Sequence, residues 1–597
     1  MESFTVQEEI AELEKEIARL APGSIAVKRN AGKVFYYHRI SRGGSRVENY
    51  IPFEKVDSLR KEIEKRKALE ARLRELKRSV PAPSLKKQPG RRFRTFVRIG
   101  ESLQKVAALA RTYRRRDLYD ALSEYVFGPP QDKVLILYGL RRTGKTTLIR
   151  QAILSMTPDQ FDKTAFIQIG KENTLSQLYA DLQELERLGY QYIFIDEVTM
   201  LEDFIEGAAI FSDIFAAGGM KIVLSGTDSL GFLFTERNQL YDRCILLHTT
   251  SIPYREFERV LGIQGIDEYI RYGGTMSPGG VHYNDLQSPF ESKEKTDEYI
   301  DSAIAQNIQH SLKHYEEGGH FRLLYDLYAN GELTGAINRV VEDLNHRFTK
   351  EVLTRTYRSV NLSVVSRNLL RDKVHPFNLE GHIDRNAVER TVKSMLDILD
   401  KPEQTVDIDQ SHAEQIKEYL SLLDLITDIE VLHLPGNTES TRKTVFTQPG
   451  MRYALADALI RALLSDRTFG DLEIVERYYV LDRVLDTVRG FILEEIVLQE
   501  TRNALQNRKV YQVQFAAGEL DMVVHDPQTL TCQIYEIKHS IEAVPDQYRH
   551  LINEQYCAYV EKRLGRITGK FVIYRGDAFE DNGIQYLKVE DYLKTLG

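Results

Sequence analysis

Apolar residues change their spacing several times along the chain, and each change predicts a different kind of structure. Residues 5–20 (TVQEEIAELEKEIARL) set Ile10, Leu13, Ile17 and Leu20 at helical spacing among charges, which predicts an amphipathic helix. GKVFYYHRI (32–40) and RVENYIPF (46–53) predict two short strands around the glycines of SRGGS, and residues 54–78 a second helix dense in Lys and Arg. From Ser79 to Arg98 prolines and cations replace the pattern, predicting a linker or arm. Between Lys133 and His248 short apolar runs, VLILYG, TAFIQIG, YIFID, KIVLSG and CILLH, alternate with helical segments at 145–155, 173–188 and 202–217. That alternation means a parallel sheet covered on both faces. Residues 250–480 read as mostly helical, with one strand pair near EVLHLPGNTESTRKTVFTQPG. Beyond Arg483 the order is helix (485–503), three strands (509–515, 518–525, 530–538), helix (546–563) and strand (570–575).

Six segments follow: an N-terminal α+β domain (1–82), a basic arm (83–117), a core of alternating strands and helices (118–255), a helical lid (256–345), a helical or winged-helix connector (346–484) and a C-terminal α/β domain (485–597). Composition narrows their setting. With 42% hydrophobic and 28% charged residues in 597, the chain is globular rather than disordered. No apolar run reaches membrane-spanning length, and the first thirty residues are too charged for a signal peptide, so no membrane partner is expected. Cys244, Cys532 and Cys557 stand far apart, which argues against a disulfide framework or thiolate zinc and for a reducing, cytoplasmic compartment. The net charge of -8 conceals polarity: residues 1–117 hold 29 Lys and Arg against 15 Asp and Glu. An anionic partner for the basic end is one explanation, and two differently solvated surfaces another.

The chemistry starts at Gly139-Leu140-Arg141-Arg142-Thr143-Gly144-Lys145-Thr146, which fits G-x-x-x-x-G-K-[ST] between a buried strand and a helix. Backbone N–H groups of such a loop and the following helix N-terminus cradle the phosphates of ATP. Lys145 would neutralise them, the Thr146 hydroxyl would ligate Mg²⁺, and Thr147 is a candidate contact to the α-phosphate. YIFIDE (192–197) ends an apolar strand in Asp196, expected to hold Mg²⁺ through water, and Glu197, expected to polarise the attacking water.

One strand between the phosphate loop and YIFIDE, followed by KIVLSGTDS (221–229), resembles the AAA-type and STAND-type division of P-loop ATPases, with ASCE-type strand order. The resemblance implies a γ-phosphate sensor at Ser225, with Thr227 beside it. LYDRCILLHTTSIPYREF (240–257) and YIRYGG (269–274) look like a large archaeal and bacterial family of AAA-type ATPases that carry a C-terminal nuclease-like domain. The likeness is firm over about 118–280 and looser beyond. It matches Arg243 to a family arginine that touches phosphate in cis or in trans, an ordinary surface arginine being the equal alternative. It also leaves a homo-oligomer open.

In the C-terminal segment, AGELDMVVHDPQTLTCQIYEIKHS reads as two strands joined by HDPQ, pairing 519 near 536 and 521 near 534. Alternation then places Glu519, Asp521, Glu536 and Lys538 on one face. Asp521 and Glu536 become diagonal neighbours within reach of one divalent ion, and Lys538 can orient water or stabilise phosphate charge. Glu494, in GFILEEIV (490–497), can complete the site from a helix. The order of elements and Asp followed by E-x-K are similar to the PD-(D/E)XK nuclease fold, a restriction-endonuclease-like α/β domain. That resemblance implies Mg²⁺ or Mn²⁺ at Asp521 and Glu536, with catalytic roles for Lys538 and Glu494. Glu519-Leu520 departs from its usual proline-led turn.

Two further stretches carry weaker signals. Lys86, Lys87, Arg91, Arg92, Arg94 and Arg98 interleave with Phe93 and Phe96, suiting a nucleic-acid footprint, a solvated linker, or a segment docking on the acidic remainder of the chain. The connector resembles a winged helix but has few clustered cations, so DNA contact and an architectural role stand level. The combined expectation is an ATP-hydrolysing AAA-type ATPase coupled to a metal-dependent nuclease acting on DNA. The alternative is an ATP-dependent DNA-binding or signalling scaffold whose nuclease-like domain is inactive. A small-molecule kinase is disfavoured because no acceptor-binding lid is recognisable.

Overall fold

Two apolar layers, one on each side of a mostly parallel sheet, organise the nucleotide-binding part of the chain. The computed structural model describes residues 20, 24–30, 33–42, 45–52, 55–63, 65–66, 69, 93–170, 172–201, 204–227, 242–276, 293–300, 321–330, 332–358, 408–436, 440–465 and 474–596. The chain divides into a unit of residues 1–92 and a unit of residues 93–597. The helix expected at 5–20 and the cations Lys86, Lys87, Arg91 and Arg92 lie outside the described residues, as do 359–407 of the connector.

In the first unit β1 (Ser24–Asn30), β2 (Lys33–Arg42) and β3 (Ser45–Ile51) form an antiparallel meander, and residues 55–63 are helical. The sequence pattern had predicted two strands. β1 escaped it because SIAVKRN offers only Ile25 and Val27 before turning polar.

The second unit opens with β4 (Phe96–Arg98), α1 (Gly100–Ala108) and α2 (Tyr119–Phe127). There follow β5 (Val134–Tyr138), α3 (Lys145–Leu154), β6 (Thr164–Gln168), α4 (Leu175–Arg187), β7 (Tyr192–Asp196), β8 (Lys221–Gly226) and β9 (Cys244–His248). The sheet order is β4-β6-β7-β8-β5-β9, so β8 separates the phosphate-loop strand from the strand bearing Asp196. Val134 and Ile136 pack into one apolar layer and Leu135 and Leu137 into the other, as expected of a sheet buried on both faces.

The arm assigned to 83–117 is corrected over its described residues, 93–117. β4 pairs antiparallel with β6, and the buried Asp181 carboxylate accepts from Arg94 N (2.7 Å), Thr95 N (2.6 Å) and Thr95 Oγ1 (2.6 Å). Residues 94–98 thus dock on an acidic residue of the chain, one of the readings their pattern allowed, and β4 covers the edge of β6. Phe93 packs on the core while Phe96 stays exposed.

Next come α5 (Tyr254–Leu261), α6 (Ile266–Tyr272), α7 (Leu333–Arg358), α8 (Gln410–Leu422), β10 (Ile426–His433), β11 (Thr441–Phe446), α9 (Pro449–Ser465) and α10 (Ile474–Ala504). The last run is β12 (Lys509–Phe515), β13 (Gly518–Asp526), β14 (Thr531–Ile537), α11 (Glu554–Leu564), β15 (Arg566–Tyr574), β16 (Phe579–Asp581), β17 (Ile584–Lys588) and α12 (Val589–Thr595). Strands β10 to β17 make one sheet, ordered β11-β10-β12-β13-β14-β15-β17-β16.

The boundaries drawn at 255/256 and 484/485 therefore do not separate folding units. The hairpin β10–β11, read as a connector wing, extends the C-terminal sheet through parallel β10–β12 pairing. Phe257 and Tyr269 share one apolar cluster with Val488, Phe491 and Met522, so the first part of the segment read as a lid, residues 257–276, is packed against α10. No helix among the described residues is long and apolar enough to cross a membrane.

Candidate active sites

At the first site the phosphate loop needs an unusual backbone. Gly139 has φ of 138°, and a β-carbon there would lie 2.3 Å from the Thr249 carbonyl oxygen, so only glycine fits beside β9. Lys145 opens α3 and donates to Gly139 O and Leu140 O, both at 2.8 Å. Burial lowers the pKa of its ammonium to about 8, although Glu197 and Asp196 oppose that shift. Phosphate oxygens entering here would replace the loop carbonyls as acceptors and restore the charge.

Asp196 joins the loop to the sheet. Its carboxylate accepts from Thr146 Oγ1 at 2.9 Å and from Ser225 Oγ at the tip of β8. Glu197 follows in the left-handed region, φ 57°, and accepts from Thr227 Oγ1 at 3.4 Å. Burial, with the Asp196 charge second, raises its pKa above the ordinary carboxylate range. A cavity of about 360 Å³ opens between these groups, lined by Arg142, Gly144, Lys145, Thr147, Glu197 and Thr227 among others.

Two residues assigned from sequence are placed otherwise. Thr143 is fully buried, its hydroxyl bonded to Leu140 O and Thr249 Oγ1, so only its backbone N–H remains for a ligand. Arg243 precedes β9 beside Val134, at the end of the sheet opposite the phosphate loop, and pairs with Asp213 at 3.1 Å. The length of β5, about 16 Å at 3.3 Å per residue, separates it from the phosphates and excludes contact in cis.

Arg116, which the sequence analysis did not single out within the segment 83–117, is 3% exposed and bonds to the loop backbone. It donates to Thr143 O (2.7 Å), Thr250 O (3.1 Å) and Glu256 Oε2 (2.6 Å). Truncating it strands the buried Glu256 carboxylate, at a cost of about 3–5 kcal/mol. Arg116→Ala is expected to lower the thermal midpoint markedly and to weaken nucleotide binding, as thermal scans with and without ATP will read.

The second site lies on β13 and β14. Their register, Met522 opposite Tyr535, brings Asp521 level with Glu536 on the next rung. The predicted pairing is off by two residues, because the strands expected at 518–525 and 530–538 leave a loop at 526–529, whereas the loop is 527–530. A shift of two keeps every side chain on its face. Asp521 and Glu536 are 1% and 2% exposed. Lys538 Nζ stands between them, 2.7 Å from Asp521 Oδ2 and 2.6 Å from Glu536 Oε2. Ile537 N donates to Asp521 Oδ2 at 2.7 Å, and His550 Nδ1 lies 3.0 Å from Glu536 Oε1.

Burial and the Asp521 charge raise the Glu536 pKa. Lys538 is raised as well, because Asp521, Glu536 and the buried Glu494 of α10 outweigh its burial. Glu519 stands toward the rim and accepts from Gln512 Nε2 at 3.3 Å. The cluster opens into a cavity of about 910 Å³, to whose wall α7 adds Arg347 and Lys350. Among the described residues no group of three or more His, Cys, Asp or Glu is placed to hold a metal ion. A divalent ion would therefore rest on Asp521 and Glu536, whose oxygens already converge on one cation, the Lys538 ammonium.

Between the sites, Glu500 of α10 is buried and accepts from Tyr254 N (2.8 Å) and Tyr269 OH (2.9 Å). Burial raises its pKa from 4.5 to about 7. The folded state thus holds this proton more tightly than the unfolded, and stability is lost as pH climbs from about 4.5 to 7, by up to about 3 kcal/mol. Glu500→Gln is expected to flatten that loss and to raise the thermal midpoint at pH 8, with little change at pH 4.5.

Comparison with known proteins bears on the first site. Residues 131–258 match the model of a family described as an AAA domain. The chain carries an AAA-type P-loop ATPase domain. A curated relative, an uncharacterized protein of Methanocaldococcus jannaschii, is 20% identical over 245 residues, covering 37% of this chain and 53% of that protein. The chain spans about half the length of that relative. Similar solved structures include the Aeropyrum pernix ORC1 protein in complex with DNA, at 14% identity, 60% of this chain, 92% of that chain and TM-score 0.19. A DNA polymerase III gamma subunit-related protein of Thermotoga maritima follows at 13% identity, 51% and 92% coverage, and TM-score 0.18.

Proposed function

We propose that this protein hydrolyses ATP at its AAA domain and uses the nucleotide state to control a metal-dependent nuclease centre, acting on DNA, at Asp521, Glu536 and Lys538. The observation that carries the second half is the meeting of two buried carboxylates and an ammonium at the floor of an open cavity. In the AAA domain, loop N–H groups and Lys145 bind the phosphates, Thr147 contacts the α-phosphate, and Ser225 reads the γ-phosphate through its bond to Asp196. Thr146 and Asp196 are an all-oxygen pair suited to Mg²⁺, which when bound would neutralise charge on the β/γ-phosphates. Glu197 takes the proton of the attacking water, and burial, by raising its pKa, makes it a stronger base than an exposed carboxylate.

At the C-terminal centre Asp521 and Glu536 would hold a divalent ion, Mg²⁺ or Mn²⁺, which supplies Lewis acidity to a phosphodiester. Lys538 stabilises charge developing on the phosphoryl oxygens, and Glu494 keeps that lysine protonated from beneath. Arg347 and Lys350 face the same cavity and suit phosphate contacts along a strand.

The test is a cleavage assay on plasmid, single-stranded DNA and RNA, with Mg²⁺ or Mn²⁺, with and without ATP. Products from DNA, absent with Asp521→Ala, are the expected result; intact substrates under every condition would remove the nuclease. A second reading then takes over, that of a non-cleaving, ATP-dependent DNA-binding scaffold. The seat of Lys538 Nζ between both carboxylates favours it, since an ammonium bound there competes with a metal. It expects salt-sensitive DNA retention in gel shifts, without products.

A further inference from the structure

Helix α6 and the residues after it run from one candidate site to the other. At the start of α6, Asp267 Oδ1 lies 2.7 Å from His539 Nε2, and its Oδ2 accepts from Arg575 Nη2. His539 directly follows Lys538, and Arg575 directly follows β15, the neighbour of β14. Lys538 N donates to Ile573 O at 2.8 Å and Arg575 N to Ser540 O at 3.0 Å, so Asp267 holds both strands at the end of their ladder. Because side chains alternate, Lys538 faces the carboxylates while His539 turns away toward α6. Asp486 of α10 stands 3.5 Å from His539 Nδ1, and the histidine side chain is only 9% exposed.

The other end of this element reaches the phosphate loop. Gly274 O accepts from Ile252 N at 3.0 Å and Gly273 O from Gly450 N at 3.2 Å, which fixes the turn leaving α6. Met276 N then donates to Arg142 O at 2.8 Å, and Met276 lines the nucleotide cavity. A β-carbon on Gly144, beside Lys145, would stand 2.7 Å from Met276 Sδ, so this side chain lies directly against the phosphate loop. By helix rise and extended reach, Asp267 to Met276 spans roughly 20 Å.

We propose that Asp267–Met276 is a strut that transmits nucleotide occupancy to Lys538. Phosphate entering the loop displaces Arg142 and Gly144, Met276 follows, and α6 shifts as one short rigid body. Asp267 then draws the His539 and Arg575 end of the sheet and changes how Lys538 sits between Asp521 and Glu536. Asp267 and His539 are positioning residues in this scheme, and the coupling is reciprocal, so occupancy of the C-terminal site alters nucleotide affinity. The inference rests on the two-centre reading above and concerns how the centres communicate.

The test is hydrogen exchange of the full chain, free or with Mg²⁺ and a non-hydrolysable ATP analogue. In the wild type the nucleotide is expected to change exchange across amides 534–540 by about fivefold or more. Asp267→Ala should remove that response while analogue affinity, measured by titration, stays within about twofold, and Asp267→Glu should restore part of it. A residue that only supported the fold would shift exchange equally in both states and leave the response intact. If Asp267→Ala does not fold, His539→Gln is used and the same loss is expected. A response of wild-type size in either folded variant, or none in the wild type, overturns the strut. Exchange does not depend on cleavage, so a chain that cuts no DNA still decides the question.

Discussion

Changing Glu197 to Gln is expected to stop ATP hydrolysis while ATP still binds, whereas Lys145→Ala is expected to abolish binding and hydrolysis together. The two residues face the same cavity but do different work. Glutamine keeps the size of Glu197 and its bond from Thr227 Oγ1, yet has no carboxylate to take a proton, and such a base contributes about 100- to 10,000-fold. Lys145 is the buried cation at the phosphate end, where its loss leaves the anion to the loop dipoles and the exposed Arg141 and Arg142 at the cavity wall. Phosphate release separates these cases when read beside equilibrium binding of a fluorescent nucleotide. pH gives a second signature. The free loop holds Lys145 at a pKa of about 8, so affinity should weaken as pH rises through that value. The raised Glu197 carboxyl makes hydrolysis fall on acidification earlier than an ordinary carboxylate would. Turnover that survives both substitutions would exclude this site.

The nucleotide centre was legible in sequence because its chemistry is local. Strand, glycine loop, Lys145 and Thr146 are contiguous, and Asp196 and Glu197 end an apolar strand that can only be buried. Arg116 was not legible for the opposite reason. It is the last of three consecutive arginines, and nothing local distinguishes the one whose partners, Thr143 O and Glu256, lie 27 and 140 residues away. Arg243 shows the converse limit: it stands next to the right strand at the wrong end, and strand polarity, not proximity in sequence, decides reach. Domain boundaries failed where a tertiary partner overrode local pattern. β10–β11 reads as a free hairpin until β12 pairs with it, and RFRTFVR reads as an arm until Asp181 binds its backbone. The C-terminal cluster survived an error in register because the slip was even. A slip of one residue would have put Asp521 and Glu536 on opposite faces.

That cluster sets the other large effect. In a chain that cleaves DNA, Asp521→Asn and Lys538→Met are each expected to reduce the rate by about 1,000-fold or more, with nucleotide binding retained as the sign of a folded protein. The double variant should be little worse than either single one, since residues that act as a unit lose their contribution together. Asparagine keeps the shape of Asp521 and an acceptor for Ile537 N, but removes one of the two charges that hold the Lys538 ammonium and would hold a divalent ion. The stability change discriminates further. If the three groups serve only to pair with one another, removing the Asp521 charge costs stability because the Lys538 ammonium loses one of its two carboxylate partners. If they are held for catalysis, two buried carboxylates sharing one ammonium are a source of strain, and Asp521→Asn relieves repulsion between them. A variant that gains thermal stability while losing cleavage is therefore the combination expected of a working site. A variant that loses stability and never had a cleaving parent is the signature of a structural ion cluster.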